Sequence, residues 1–245
     1  MYYISLLLGL LVGSFLNVVI GRLPYDQSVV HPPSQCPVCK KRIKPYDNIP
    51  VVSYILLKGK CRQCKSKISI EYPIVELFTG VMFGWIYLRN GMKPSLWFEF
   101  ALVSLLIVVV MIDLKHEIIP DEVNLLLGLI GLVYIFIISG ANLKDGIFGF
   151  LAGGGILFLI ALVGPMGGGD IKFMAAAGLW LGLIPTFFTL LIAFTLGGLV
   201  GGVLLITKIK SRKDHIPFGP FLALSTFLVY FYYTDILMFY LKLVM

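Results

Sequence analysis

The chain has 245 residues, of which 58% are hydrophobic and 13% charged, with a mean hydropathy of +0.94. That balance excludes an ordinary soluble domain, and several apolar runs approach the ~20 residues needed to cross a bilayer, so an all-α polytopic membrane protein is expected. The net charge of +7 does not point to nucleic acid, because no aromatic-interleaved basic groove accompanies it.

In chain order, the run from Tyr3 to Ile20 has no basic region before it and no small-residue cleavage site at its end, so it reads as a retained span rather than a signal peptide. With this first span at 3–21, others are expected near 73–88, 95–112, 122–140, 146–164, 171–184, 186–207 and 217–243, about eight helices in all. The 37 residues from Ile171 to Thr207 would make roughly 55 Å of helix, too much for one span. Dividing them at Pro185 leaves a first half of 14 residues, roughly 21 Å against a hydrocarbon core of about 30 Å. Charge favours the division. With the N-terminus outside, eight spans place 16 of the 20 Lys and Arg in cytoplasmic segments: ten from Arg22 to Lys67, then Lys115, Lys172, Lys208, Lys210, Arg212 and Lys213. Merging the sixth and seventh spans would carry the four cations of the 208–213 loop across the membrane, which the positive-inside rule disfavours.

Between the first two spans lies a polar segment, 24–72, that carries all four cysteines as Cys36-Pro-Val-Cys39 and Cys61-Arg-Gln-Cys64. Each C-x-x-C turn presents two sulfurs to one ion, and the pair suits a tetrahedral zinc site of four thiolates. Paired or redox-active cysteines and free thiols are the competing readings, and a reducing cytosolic setting weighs against disulfides. A loop this small has little core, so metal binding would supply much of its folding free energy. His31, His116 and His215 read as solvated loop residues.

Two carboxylates stand at the ends of expected membrane helices: Asp113, after Val-Val-Val-Met-Ile, and Asp170, after Gly167-Gly168-Gly169. Ionisable groups at a membrane edge are functional candidates by default. Taken singly, Asp113 reads equally well as part of a solvated helix end and Asp170 as an N-cap. Together, at one membrane face, they suggest hydrolysis by a carboxylate pair, one ionised to take a proton from water and one protonated to polarise a carbonyl. Helix dipoles would favour the anion on Asp170, at a helix N-terminus, and the proton on Asp113, at a C-terminus. GxxxG pairs at Gly149/Gly153, Gly197/Gly201 and Gly198/Gly202 read as packing devices.

Taken in order, Gly13-Ser-Phe-Leu-Asn17-Val-Val-Ile-Gly-Arg22-Leu-Pro24, the two cysteine knuckles, Glu71-Tyr-Pro73-Ile-Val-Glu76-Leu, the segment from Asp113 to Ile119-Pro120-Asp121, and Gly167-x-Gly-Asp170-x-Lys172 resemble the type IV prepilin leader peptidases, a family of GxGD membrane aspartic proteases. The resemblance runs from about Leu8 to Pro220. It implies a bifunctional enzyme of the bacterial cytoplasmic membrane that cuts the basic leader of prepilin or pseudopilin substrates after a glycine on the cytoplasmic side. Such an enzyme then methylates the new N-terminal amine with S-adenosylmethionine. It also implies that Asp113 and Asp170 are catalytic, with Gly167, Gly169 and Lys172 supporting their loop, whereas Asp121 matches the trailing Pro-Asp. The implied organisation is a first membrane helix at 1–23, a cytoplasmic four-cysteine domain at 24–72 that contributes the methyl-transfer region, and a membrane peptidase domain at 73–245. Arg22, Asn17 and Glu76 flank the loop and match family motifs, but no residue is assigned to the methyl donor. A peptidase lacking methyl transfer, a proton-coupled small-solute transporter, a zinc-knuckle scaffold and a preflagellin-type peptidase are the alternatives. The cysteine loop argues against the last of these, and the absence of mid-membrane carboxylates or repeated halves against the transporter.

Overall fold

The computed structural model describes residues 1–139, 143–164, 166–211 and 215–244. Gly140, at the end of the fourth expected span, and the cations Arg212 and Lys213 lie outside the described residues. Among the described residues the structure is helical, and the extended pairings are two isolated bridges in the cysteine loop. The chain folds as two compact units that divide after Val108.

The first unit holds α1 (Tyr2–Arg22), the cysteine loop with its short α2 (Val52–Leu56), α3 (Glu71–Asn90) and the first part of α4 (Ser95–His116). α1 and α3 meet almost backbone to backbone. A Cβ at Gly9 would lie 2.7 Å from the Thr79 carbonyl, and one at Gly13 would lie 2.7 Å from the Glu76 Cα. This small-xxx-small contact on α1 was not among the glycine pairs expected from the sequence. Pro73 falls in the first turn of α3, where its missing N–H costs nothing. Phe83 of α3 stacks on Phe100 of α4 with ring centres 4.0 Å apart, and Asn90 donates to Glu99 Oε2 at 2.6 Å.

The second unit holds the end of α4, then α5 (Asp121–Tyr134) with a π-helical turn at Ile135–Ser139, α6 (Leu143–Val163), α7 (Gly168–Leu181), α8 (Leu183–Ile206) and α9 (Gly219–Val244), which is kinked at Tyr232. Helix ends follow electrostatics: Lys115 and His116 close α4, whereas Asp121 and Glu122 open α5 and Asp170 opens α7. At the centre of the unit is α7. Every residue from Phe173 to Trp180 is buried, Trp180 donates to the Leu127 carbonyl at 2.9 Å, and its ring stacks on Tyr134.

The expected division of the 171–207 stretch holds, but at a different residue. The chain turns at Gly182, whose φ of 82° is open to glycine and disfavoured for other residues, and Pro185 sits harmlessly in the first turn of α8. Asp145 on α6 caps the restart by accepting the Leu183 N–H at 3.1 Å. Of the three glycine pairs, Gly149/Gly153 is a tight contact, facing the carbonyls of Gly178 and Met174 on α7. Gly197 faces the Phe218 ring and Phe221 of α9, and Gly201 faces Ile216, so that pair also lies against neighbours, whereas Gly198 and Gly202 have open space around them.

Among the described residues, six helical stretches are long and apolar enough to cross a membrane: α1, α4, α5 with its π-helical turn, α6, α8 and α9. Outside that set are α3, with 20 residues, and α7, with 14.

Crowding separates the glycines by their response to a single methyl group. Gly149→Ala is expected to lower stability by about 1–3 kcal/mol, because backbone faces it and cannot move aside. Gly202→Ala is expected to be neutral or stabilising by up to ~1 kcal/mol through helix propensity. Midpoints of detergent-induced unfolding of the two variants check this.

Candidate active site and metal centre

The cysteine loop is built twice over. Cys36 N–H donates to Lys41 O and Lys40 N–H to Cys36 O at 3.0 and 2.9 Å, and Cys61 N–H donates to Ser66 O and Lys65 N–H to Cys61 O at 2.9 and 3.0 Å. The bridges Gln35↔Arg42 and Lys60↔Lys67 follow the same spacing, and Lys40 and Lys65 both turn through positive φ, at 57° and 59°. Each knuckle thus presents two sulfurs in the same way, and the four Sγ atoms lie within 4.8 Å of one another. None is disulfide-bonded, and Cys36 and Cys64 sit 3.8 Å apart. Zinc–sulfur bonds of about 2.3 Å in a tetrahedron put sulfurs about 3.8 Å apart, so the donor set fits a four-coordinate zinc ion. The loop shifts its thiols unequally: against the pull of the Lys41 backbone N–H, burial and the neighbouring Cys36 and Cys64 sulfurs push the Cys39 thiol up to about 11. The Cys39 backbone N–H, helped by Val38 and the Ser66 hydroxyl, draws the Cys36 thiol down to about 6, and Ser66 lowers that of Cys64. None of the three histidines joins the cluster among the described residues.

Arg62, between Cys61 and Cys64, clasps Asp47 through two nitrogens at 2.7–3.0 Å. Its guanidinium holds the Asp47 carboxyl below the usual carboxylate range. The clasp therefore contributes at neutral pH and is lost only as the pH falls through that lowered value.

The three loop-flanking polar residues fasten the loop to its helices. Arg22 donates to the carbonyls of Ser28 and Pro33, and Asn17 donates to Tyr72 O at 3.0 Å. Glu76, buried in α3, accepts the Val51 N–H at 2.7 Å and contacts the Ser14 hydroxyl. Val51 itself is held at φ 61°, an unusual conformation for a β-branched residue.

In the second unit, the two aspartates come together. Asp113 lies in the last turn of α4 and is 4% exposed; Asp170 lies in the first turn of α7, half-buried, and the two carboxyl groups interact electrostatically. Between their elements sits Ile119, buried after the chain leaves α4. A Cβ on Gly169 would come within 3.1 Å of Ile119, as would one on Gly219 at the start of α9. Gly219 N–H donates to Asp113 Oδ2 at 2.8 Å, and the backbone of Gly167 hydrogen-bonds Asp170. Each carboxyl thus has a backbone donor as well as a helix end near it.

Of the supporting residues, Gly167 lies beside the Asp170 carboxyl, and Gly169 offers its carbonyl to Asn124 Nδ2 at 3.3 Å. Lys172 points outward to form an exposed ion pair with Asp121 at 2.7 Å, tying the start of α7 to the start of α5. Sequence reading missed Gly219 and Asn124, and it named Ile119 only as part of a motif. The Phe218-Gly219-Pro220 run carried a signal, since glycine followed by proline marks the opening of a helix, but its meeting with Asp113 depends on tertiary packing.

A family model described as the bacterial peptidase A24 N-terminal domain matches residues 7–90, and one described as the type IV leader peptidase family matches residues 100–202. The chain is 34% identical to a prepilin leader peptidase/N-methyltransferase of Neisseria gonorrhoeae, over 93% of this chain and 89% of that protein. It is 33% identical to the protein of the same description in Bacillus subtilis, over 99% of each chain, and 33% identical to that of Legionella pneumophila, over 98% and 94%. No solved structure matches. Relatives at this identity that span nearly the full length of both chains, together with an aspartate pair and a cysteine cluster where the motifs place them, show that the chain belongs to the type IV leader peptidase family.

Proposed function

We propose that this protein removes the leader peptide of prepilin-like substrates at the cytoplasmic face of the bacterial inner membrane and methylates the amine so exposed. The observation that carries the hydrolytic half is the meeting of Asp113 and Asp170 beside Ile119, in groups held by backbone donors. One carboxylate takes a proton from water as its oxygen attacks the scissile carbonyl, and the proton-bearing partner hydrogen-bonds the carbonyl oxygen. Collapse of the tetrahedral species breaks the C–N bond, and the proton passes to the departing amine. The pair ends with the one shared proton it began with. Gly167, exposed beside the Asp170 carboxyl, leaves main chain uncovered there, which suits an extended substrate backbone.

Eight spans, with α3 and α7 added to the six long apolar helices and the N-terminus outside, are the topology we propose. This arrangement gathers the cations of the cysteine loop, Lys115, Lys172 and the 208–213 loop on the cytoplasmic side. A substrate with a basic leader and an apolar helix then presents its scissile bond at the depth of the pair. Pilins, pseudopilins of secretion systems and competence proteins fit this description. The domains follow: a first membrane helix at 1–23, a zinc-stabilised cytoplasmic domain at 24–72 and the peptidase at 73–245.

Methyl transfer belongs to the first unit in this reading, with zinc held by Cys36, Cys39, Cys61 and Cys64 as a structural ion. S-adenosylmethionine supplies a methyl group from a cationic sulfonium. Glu76 fits such a group, being a buried carboxyl whose described partners, Val51 N–H and the Ser14 hydroxyl, are neutral, so that a cation beside it would favour its anion.

Mass spectrometry of a prepilin N-terminal peptide incubated with the enzyme in lipid, with and without S-adenosylmethionine, tests both halves. Asp113→Ala and Asp170→Ala are each expected to slow leader loss by about a thousand-fold or more, while a pre-cleaved peptide is still methylated. Cleavage by either variant at the wild-type rate would strike the pair from the mechanism. Glu76→Gln keeps an acceptor for Val51 but removes the charge; methylation is expected to fall about ten-fold or more with cleavage retained, a loss set by one charge-assisted contact. Elemental analysis is expected to find zinc in the wild type and little in Cys36→Ser or Cys61→Ser, whose loops become sensitive to protease.

A further inference from the structure

Asp113 stands where the last turn of α4 meets the first turn of α9. The opening N–H groups of a helix lack acceptors within it and must find partners elsewhere. At the start of α9, Pro220 has no N–H, and the N–H groups of Phe221 and Leu222 turn back to Phe218 O at 3.0 and 3.2 Å. What α9 presents outward at this end is the Gly219 N–H, and it goes to Asp113 Oδ2 at 2.8 Å in a buried setting. The approach leaves no room for a side chain. A Cβ at 219 would lie 2.7 Å from Oδ2, 3.0 Å from Cγ and 3.1 Å from Ile119 Cδ1.

Among the described residues, the charged groups that act on Asp113 are Asp170 on α7 and Glu117 just beyond α4. Both are acidic, so neither supplies a counter-charge, and a fixed neutral donor is what orients the carboxyl without changing the charge of the pair. Hydrogen bonds to a charged acceptor are stronger than neutral ones and fix its rotation. Gly219 engages Oδ2 and leaves Oδ1 outside this contact. We propose that Gly219 is a positioning residue for hydrolysis: its N–H locks the Asp113 carboxyl, and its missing side chain makes that contact possible. The inference rests on the reading of Asp113 and Asp170 as the hydrolytic pair.

The test removes the N–H without adding bulk. Cell-free synthesis into lipid nanodiscs, with glycolic acid inserted at position 219, replaces the Phe218–Gly219 amide by an ester. This variant is compared with Gly219→Ala, Gly198→Ala and Asp113→Ala for leader cleavage, with methylation of a pre-cleaved peptide and the thermal midpoint reporting folding. The ester is expected to lower kcat about ten- to a hundred-fold with KM within about two-fold. Gly219→Ala is expected to fall at least as far, and Gly198→Ala, which has nothing around its Cβ position, to match the wild type. An ester enzyme with wild-type kcat, or with a loss confined to KM, overturns the proposal while leaving the aspartate pair in place. Cleavage by Asp113→Ala would instead sink the pair itself. If Gly219→Ala fails to fold, the ester alone decides.

Discussion

The depth of Asp170 depends on one contact between two backbones. α7 has 14 residues, roughly 21 Å of helix, and so cannot reach across a bilayer by itself. It is held instead by its neighbours, and on the side of α6 the glycines at 149, 153 and 178 bring main chain against main chain. Packing at that distance gives many weak contacts with little side-chain entropy to lose, which is how helices associate where the solvent is itself apolar. Once the middle of α7 is fixed, so is its first turn, and with it the carboxyl of Asp170. Asp145 reinforces the arrangement from α6 by capping the helix that follows.

A second constraint acts on the carboxyls. Two acids placed near each other in poorly solvated surroundings repel when both are ionised, and a charge without partners is expensive there. Each carboxyl meets a glycine backbone, Gly219 for Asp113 and Gly167 for Asp170, so among the described residues neutral dipoles rather than a cation orient the pair. A lysine or arginine in that place would hold both acids as anions and remove the proton that hydrolysis needs. Lys172, two residues from Asp170 in sequence, is engaged instead with Asp121 at the surface. In the other unit, the repeated cysteine knuckles apply the same economy: backbone N–H groups and a serine hydroxyl tune the thiols, while the lysines at positive φ simply turn the chain.

Much of this was legible in the sequence because it rests on local chemistry. Cysteine spacing predicts the cluster, since a C-x-x-C turn makes its geometry within four residues. Two aspartates at helix ends, each flanked by apolar sequence, announce themselves through the cost of keeping them there. Helix positions follow from hydropathy, and the break in the long apolar stretch was expected, though at Pro185 rather than Gly182. Proline in a first turn is as compatible with a helix start as with its end, so only the backbone at Gly182 distinguishes them. Glycine pairs were harder to read: Gly149/Gly153 packs tightly, Gly198/Gly202 faces open space, and Gly9/Gly13 escaped notice, because the pattern does not say which face meets a neighbour. Gly219 was out of reach, lying 106 residues from the aspartate it holds. Arg22, Asn17 and Glu76 were visible as polar residues near a membrane edge, but their partners in the loop are set by its tertiary fold.

The claim at the centre of this account is that one proton shared between Asp113 and Asp170 is the active state. The most direct measurement is the pH dependence of kcat/KM for leader cleavage by the reconstituted enzyme, which reports the free enzyme's essential groups. A bell with an acid and a basic limb, the two apparent pKa values belonging to the pair, is the predicted result. A single sigmoidal curve, with activity undiminished once both carboxyls are ionised or once both are protonated, would contradict it.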